Sequence, residues 1–538
     1  MRLLGAWALV SLLSAGAASA DVVIDWNNHA LDAIRVDRTA PPKAGRALAM
    51  AHVAVFDAVN AIAGRPFTPY APGIQVGGEG WPPPAGGSPE AAAAAAAHRV
   101  LSHLFPAQQA ALDTKLAASL AAIADGPAET DGVTYGQFVA DLIIAIRTND
   151  HSGDVVEVEY PGGSSWWAPT PPAFAPALLP NWPQVKPWAL RSGSHLRPEA
   201  PPPPNSAAHA TAYNEVALLG SKTSTLRTAE QTQVALFWAD GGGTATPPGH
   251  WHLIAQGISS DRHLSLLENA RLFALLGIAA ADAAIVAWDT KYAYSCWRPV
   301  TGIRAGDQDG NPDTRVDPAW EPLIATPPFP AYTSGHSTFS ASSARVLERF
   351  FGTDAISFST ASDGLPGVTR SFSSLSAAAE EAGQSRIYGG IHWQFDNQAG
   401  LASGRALGDI VFFNFLTPAS SPGTCAPGPT RLCLNDGRFE VQASWNTGTS
   451  SGPAAVASQT GDSGQFYFFD ADNTELTVKA LKACDYNGRY WVFASGLTNV
   501  EVLIRVTDTE TGRVRQYFNP RGKAFAPVQD TDAFATCP

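Results

Sequence analysis

The chain is short of positive charge. Its 538 residues hold 35 lysines and arginines against 48 aspartates and glutamates, a formal net charge of −13. No basic stripe runs along it, which argues against a nucleic-acid partner, because tracking phosphates takes clustered cations. Any anion site must therefore be a local concentration of positive groups. No internal repeat is visible. Beyond the N-terminus no apolar run reads as a membrane span, which needs about 20 residues. The stretch 272–288 is interrupted by Asp282 and reads as a core helix. Cysteine is also scarce. Cys425, Cys433, Cys484 and Cys537 fall in the last part of the chain, and Cys296 stands alone.

What is present is 45% hydrophobic, ample for a large core and too long for one ordinary domain. Arg2, the short apolar run 3–13 and Ala18-Ser19-Ala20 have the order of a signal peptide, 1–20, cleaved after Ala20. That predicts a secreted or periplasmic protein. Export permits disulfides, so the four late cysteines suggest two bridges whose pairing stays open. Cys296, among aromatic residues, is expected to be buried.

From 21 to 416 the pattern is helical, with apolar residues at helical spacing in 91–105, 108–123, 135–147, 227–238, 264–291, 337–351 and 395–415. The stretch 161–206 interrupts it with a proline run and Trp166, Trp167, Trp182 and Trp188. It reads as a loop packed over the helices, since its aromatics are costly to leave in water. A Pro/Ser/Gly-rich linker, 417–424, follows. From 425 to 538 come short strand-like runs and a hairpin turn at Glu510-Thr511-Gly512. The expected class is mainly α, two helix bundles sharing one site, followed by a small C-terminal β-sandwich.

Three segments carry chemistry. In the first, 291–299, Lys291 and Arg298 are seven apart, which on a continuous helix ended by Pro299 puts both on one face. In the second, Thr333-Ser334-Gly335-His336-Ser337 opens a helix, where unpaired N–H groups favour an anion and glycine allows close approach. In the third, 385–396, Arg386 offers a fork of donors. His392 and Asp396, four apart, could pair if the chain is helical after Gly390. Each alone reads as surface charge, a helix cap or a structural histidine. Together they describe one tight site for a phosphate-shaped oxyanion.

Taken together, K-x6-R-P, (T)-S-G-H and S-R-x5-H-x3-D resemble the signature of the superfamily of vanadium-dependent haloperoxidases and type-2 phosphatidic-acid phosphatases. Thr333 stands where the signature has proline. The resemblance implies that Lys291, Arg298, Ser334, the Gly335 amide and Arg386 hold the equatorial oxygens of vanadate, or of phosphate in the same site. It makes His392 the vanadium ligand, or the nucleophile of a phosphatase. His336 becomes the acid–base group at the opposite apex, and Asp396 orients His392. Trp288, with Phe329 in the run 327–332, resembles the halide pocket of the chloroperoxidase-like branch. In that branch an upstream aspartate pairs with the third-segment arginine and supports the apical histidine, and Asp240 takes the role here. His250 and His252, nearby, are read as structural.

The implied function is a haloperoxidase that uses hydrogen peroxide to oxidise halide to hypohalous acid, which then halogenates a small organic acceptor. The alternative is a secreted acid phosphatase working through a phospho-histidine at His392, with His336 protonating the leaving group. A non-catalytic surface-binding protein working through its β tail ranks last, because no residue of the oxyanion cage is missing.

Overall fold

The protein is described from a computed structural model over residues 21–71, 82–160, 162–419 and 423–537. The expected signal peptide, 1–20, and residues 420–422 of the expected linker lie outside these. Helices α1 (Val22–Asp37), α2 (Pro41–Ile62), α3 (Pro89–Leu104), α4 (Gln109–Leu120) and α5 (Pro127–Arg147) come first. After the long loop follow α6 (Ala207–Leu219), α7 (Ala229–Phe237), α8 (Thr246–Arg262), α9 (Leu266–Tyr294), α10 (Pro299–Arg304) and α11 (Gly335–Phe351). A small hairpin, β1 (Phe358–Ala361) and β2 (Thr369–Phe372), precedes α12 (Leu375–Tyr388) and α13 (Gln394–Asn414).

The organising element is α9. A capping box starts it, with Glu268 Oε2 accepting from the Ser265 N–H at 2.8 Å while Ser265 Oγ accepts from the Glu268 N–H. Every residue from Leu272 to Lys291 is buried. Among the described residues it alone is long and apolar enough to cross a membrane, and it is the shared core helix. It packs on α2 on one side and on α11 and α13 on another. The glycines of α13 bring α11 unusually close. A Cβ on Gly400 would sit 2.8 Å from the Ser334 carbonyl oxygen, and one on Gly404 2.5 Å from that of Thr338. The start of α11 is thus seated directly on α13.

The long loop wraps the bundle as expected, with one correction. Trp167, Trp182 and Trp188 are buried, but Trp166 is 44% exposed. The loop is tied down by polar contacts as well as by its rings. The backbone N–H groups of Trp188, Ala189 and Leu190 donate to the buried Asp282 carboxylate at 2.7, 2.7 and 2.9 Å.

The tail forms two antiparallel sheets. One has β3 (Leu432–Leu434), β4 (Phe439–Asn446), β5 (Ser451–Pro453), β10 (Glu501–Asp508) and β11 (Val514–Asn519). The other has β6 (Ala455–Gln459), β7 (Ser463–Tyr467), β8 (Leu476–Ala483), β9 (Arg489–Gly496) and β12 (Val528–Phe534). Their inner faces meet where Phe439 packs on Tyr490 and Phe534 at 4.8 and 5.1 Å between ring centroids. Disulfides join Cys425 to Cys433 and Cys484 to Cys537. The sandwich rests on the bundle through Arg349, 4.5 Å above the Phe518 ring, and through Phe413.

In the core of the N-terminal helices, the side-chain oxygen of Asn27 accepts from both His52 Nε2, at 3.1 Å, and His252 Nδ1, at 2.9 Å. Burial drives the His52 pKa down to about 3. Between pH 6.5 and 3 the unfolded chain therefore binds a proton there that the folded chain does not, and stability falls as pH falls through that window. At pH 5 the loss due to His52 should be about 2 kcal/mol. Buried Asp57, raised by burial to about 6, works in the opposite direction. The expected result is therefore a difference: His52→Gln loses less stability than the parent between pH 7 and pH 5, by about that amount, in urea unfolding. Equal losses would contradict it.

Candidate active site

The chain reverses direction just after α9, and this creates the site. Ser295 adopts a left-handed conformation (φ 44°) and ends the helix, and Arg298 is the N-cap of α10, whose first residue is Pro299. Lys291 and Arg298 therefore do not share the face of a continuous helix, as the sevenfold spacing suggested. Pro299 starts a helix rather than ending one, its missing N–H being harmless in a first turn. Both cations still point into the same buried region. Lys291 Nζ donates to the carbonyls of Pro330 and Ala331 at 3.0 Å and to that of Thr333. Arg298 donates from Nε to the Phe329 carbonyl at 2.8 Å and from Nη1 to the Ile391 carbonyl at 2.7 Å.

Ser334 caps α11, its Oγ accepting from the Ser337 N–H at 3.3 Å, and its own N–H donates to the Asp396 carbonyl at 3.0 Å. Gly335 follows, buried, with only ordinary contacts waiting for a Cβ: Trp288 at 3.5 Å and Phe339 at 3.8 Å. The protein's own packing does not demand glycine here, and the missing side chain leaves the backbone open to close approach. Ser337 Oγ donates to Asn397 Oδ1 at 2.8 Å, a partner that no pattern in the sequence marked.

His392 is not helical. It lies in the turn before α13, and Asp396, at the third position of that helix, reaches back to it. Asp396 Oδ2 accepts from the Trp393 N–H at 3.0 Å and from His392 Nδ1 at 2.8 Å. The expected pair forms, through helix capping rather than through i,i+4 spacing. With the proton on Nδ1, the lone pair of His392 Nε2 points toward Arg298 Nη1, 3.0 Å away. On the other side Arg386 Nη1 donates to His336 Nε2 at 2.9 Å. His336, half-buried, is the most accessible of these side chains. Phe329 covers two of the cations, its ring 5.0 Å from Lys291 Nζ and 4.8 Å from the Arg298 guanidinium. Trp288 lies 4.8 Å from Phe329.

Asp240 is placed differently from the expectation. Its carboxylate pairs with His250 Nδ1 at 3.2 Å, and the hydrogen bonds of Arg386 at this end go to the carbonyls of Ala235 and Ala239 instead. Asp240 acts on Arg386 through its charge.

The electrostatics are those of a buried cationic cup. Burial pushes the Lys291 pKa well down and those of Arg298 and Arg386 to about 9 and about 10. Burial first, then Arg298, Lys291, Arg386 and His336 in that order, holds His392 far below the usual imidazole range. All four neighbours act on one ring, so the segments converge. Burial raises Asp396 to about 7, against the pull of the Trp393 N–H and the two cations. Arg298 Nη2 and Arg386 Nε are buried donors without an acceptor among the described residues. Two spare guanidinium donors, a buried ammonium, a helix start and an unprotonated imidazole nitrogen are the set that a tetrahedral or trigonal-bipyramidal oxyanion requires. Vanadate and phosphate both fit it.

Helices enclosing such a cup define the class of vanadium haloperoxidases and related phosphatases, and comparison narrows it. The family model described as "VCPO second helical-bundle domain" matches residues 271–418. The vanadium chloroperoxidase of Curvularia inaequalis is 27% identical over 487 residues, covering 70% of this chain and 79% of that protein. A solved bacterial vanadium-dependent iodoperoxidase superposes with a TM-score of 0.64 at 28% identity, covering 72% of this chain and 95% of that one. The holo form of a bacterial vanadium-dependent chloroperoxidase shares the fold, with a TM-score of 0.51 at 18% identity over 69% of this chain and 92% of that one. By these comparisons residues 271–418 match the second helical-bundle domain of vanadium chloroperoxidases, and the chain as a whole is similar to vanadium-dependent haloperoxidases.

Proposed function

We propose that the protein is a vanadate-dependent haloperoxidase that uses hydrogen peroxide to oxidise halide to hypohalous acid for a small organic acceptor. The observation that carries this is the lone pair of His392 Nε2 facing a cup of three buried cations. The two relatives with the highest identities above, a chloroperoxidase and an iodoperoxidase, support halide oxidation over phosphate-ester hydrolysis.

Lys291, Arg298, Arg386, Ser334 and the Gly335 amide would hold the oxyanion's oxygens, and His392 Nε2 would bond the metal. Bound vanadate supplies a Lewis acid that polarises peroxide for attack by halide. Asp396 keeps the His392 proton on Nδ1, so Nε2 stays a donor of electrons. His336 is held neutral by burial and by Arg386. It is therefore ready to take a proton from incoming hydrogen peroxide and return it to the leaving oxygen. Trp288 and Phe329 would form the apolar wall of the halide site and exclude water from Lys291 and Arg298.

Iodide and bromide are the expected halides. Chloride, the hardest to oxidise, is favoured by Phe329 and by the similarity to a chloroperoxidase. We place the protein outside the cytoplasm, a reading supported by its two disulfides.

The test is one preparation, assayed with and without vanadate for peroxide-driven oxidation of iodide, bromide and chloride and for phosphate-ester hydrolysis. Halide oxidation that appears on loading supports the reading. Loaded protein that oxidises no halide, with efficient hydrolysis by the vanadate-free form, moves the chain to the phosphatase alternative.

A further inference from the structure

His250 is a buried histidine with every polar atom engaged, one layer behind the cage. It sits near the start of α8 and reaches three things at once. Its Nδ1 meets the Asp240 carboxylate at 3.2 and 3.3 Å. Its Nε2 meets Thr360 Oγ1, on β1, at 3.2 Å. Its ring stacks on Trp238 at 4.6 Å and 25°. All three contacts bear on the segment 238–240 that ends α7, or on the hairpin behind it.

That segment is a working part of the site. The Ala239 carbonyl accepts from Arg386 Nη1 at 3.4 Å, and the same nitrogen donates to His336 Nε2. The carbonyls of Trp238 and Ala239 both bear on the His336 ring and favour its protonated form. Asp240 has a left-handed backbone (φ 43°), a conformation that aspartate tolerates but that needs holding, and its carboxylate is buried. The carbonyls that aim Arg386 and His336 thus hang on a turn that His250 holds from beneath, while Trp238 Nε1 donates to Glu381 at 2.9 Å and Ser362 Oγ donates to the Phe237 carbonyl. Among these contacts only that of His250 reaches the Asp240 carboxylate.

We propose that His250 is a positioning residue for the oxyanion site: by donating to Asp240 and stacking on Trp238 it holds the end of α7 so that Arg386 and His336 keep their geometry. The proposal rests on the oxyanion reading of the site. It gives a function to a histidine that packing alone would explain, since a phenylalanine fills the same volume. Phenylalanine, however, would leave the Asp240 carboxylate buried with no donor beside the Arg386 that needs its charge.

Two substitutions separate the roles of the two nitrogens. The amide nitrogen of His250→Asn falls near Nδ1 and can still serve Asp240. That of His250→Gln falls near Nε2 and serves Thr360 instead. Both lose the ring, so both lose packing. The measurement is the dissociation constant for inorganic phosphate and for vanadate by calorimetry, with thermal melting alongside. His250→Gln and His250→Phe should weaken binding by about 10- to 100-fold, the range usual for a group that orients a ligand's partner. His250→Asn should restore it to within about threefold of the parent despite similar melting, because the bond to Asp240 is back. Affinity that follows melting temperature across the three variants, or that is unchanged in all of them, overturns the proposal. Should a variant fail to fold, Thr360→Val supplies the control, with melting lowered and affinity kept. A loss of affinity equal to that of His250→Gln would count against the proposal. If the parent binds neither anion, the oxyanion reading falls. The His250 proposal is then read from the ring 15N shift of His336, which must move in His250→Gln and not in His250→Asn.

Discussion

Replacing His392 by alanine is expected to abolish vanadate binding and with it halide oxidation. Nε2 is an uncharged nitrogen aimed into the cup at Arg298, with its partner proton tied to Asp396 at 2.8 Å. Among the described residues of the site, Lys291, Arg298 and Arg386 present donors only, and the Nε2 of His336 is engaged by Arg386 Nη1 at 2.9 Å. Groups one layer behind a metal ligand are typically worth about 10- to 100-fold, so losing the ligand itself should cost more than about 100-fold in oxidation rate. Phosphate provides the internal control. It needs the cations and the start of α11 and makes no bond to Nε2, so its affinity should stay within about tenfold of the parent, or about 1.4 kcal/mol. His336→Ala should behave in the opposite way. The cage and the metal bond remain, so vanadate is partly retained. Oxidation should fall by about 100- to 10,000-fold, the usual worth of a placed acid–base group. Equilibrium dialysis with vanadate and a steady-state bromide assay read both variants. His392→Ala protein that holds vanadate as tightly as the parent would remove His392 from the metal.

The contrast between those variants depends on geometry that the sequence shows only in part. The three segments were legible because each packs several polar residues into a few positions, and short motifs survive any error in the surrounding structure. What was not legible is how the motifs are folded. The Lys291–Arg298 spacing suits a helix, but nothing in the local pattern announces the left-handed turn at Ser295. The His392–Asp396 spacing also suits a helix, yet the contact is made by a residue of the first turn reaching back to the one before the cap. In both cases the right residues meet for the wrong local reason. The partner of Asp240 was hidden for another reason. His250 comes near it only because α8 begins at Thr246 with two prolines in its first turn, and prolines after a glycine run read more readily as loop.

The helices behaved in the same way. Long apolar runs stood out, α9 among them although it is buried on all sides. The N-terminal helix α2, buried from Ala47 to Ala61, opens on Pro41 and Pro42 with Gly45 close behind, a start that reads more readily as loop than as helix. Strand positions in the tail were legible from alternation, since β4, β8 and β9 alternate buried and half-buried residues. The disulfide pairing was not, because it depends on which strands are neighbours.

Asp282 shows most clearly what a sequence marks without explaining. In an apolar run it looks like an interruption. In the structure it lies at the centre of α9, fully buried, where it accepts the three consecutive N–H groups of Trp188, Ala189 and Leu190. Burial raises its pKa, against the pull of those three donors and of Arg147 nearby. The long loop has few backbone partners of its own, so this carboxylate stands in for the ladder a strand would have supplied. Asp282→Ala leaves two buried N–H groups and one part-buried one without an acceptor, and the expected loss of stability is roughly 3–5 kcal/mol. That is a large part of the ~5–15 kcal/mol that holds a typical domain together. Asp282→Asn should do little better, since its amide nitrogen would face donors. The damage should also reach the site. Beyond the anchored residues, Arg197 pairs with Asp289 at 2.7 Å, two residues before Lys291. Before them, the Leu178 carbonyl accepts from Trp288 Nε1 and the Tyr292 hydroxyl at 3.1 and 2.9 Å. A loosened loop therefore frees the tryptophan beside Phe329. Chemical denaturation of Asp282→Ala, followed by tryptophan fluorescence, should show an early transition of the loop or a large drop in the midpoint. A loss below about 1 kcal/mol, the size of an ordinary substitution, would mean that the tryptophans alone hold the loop.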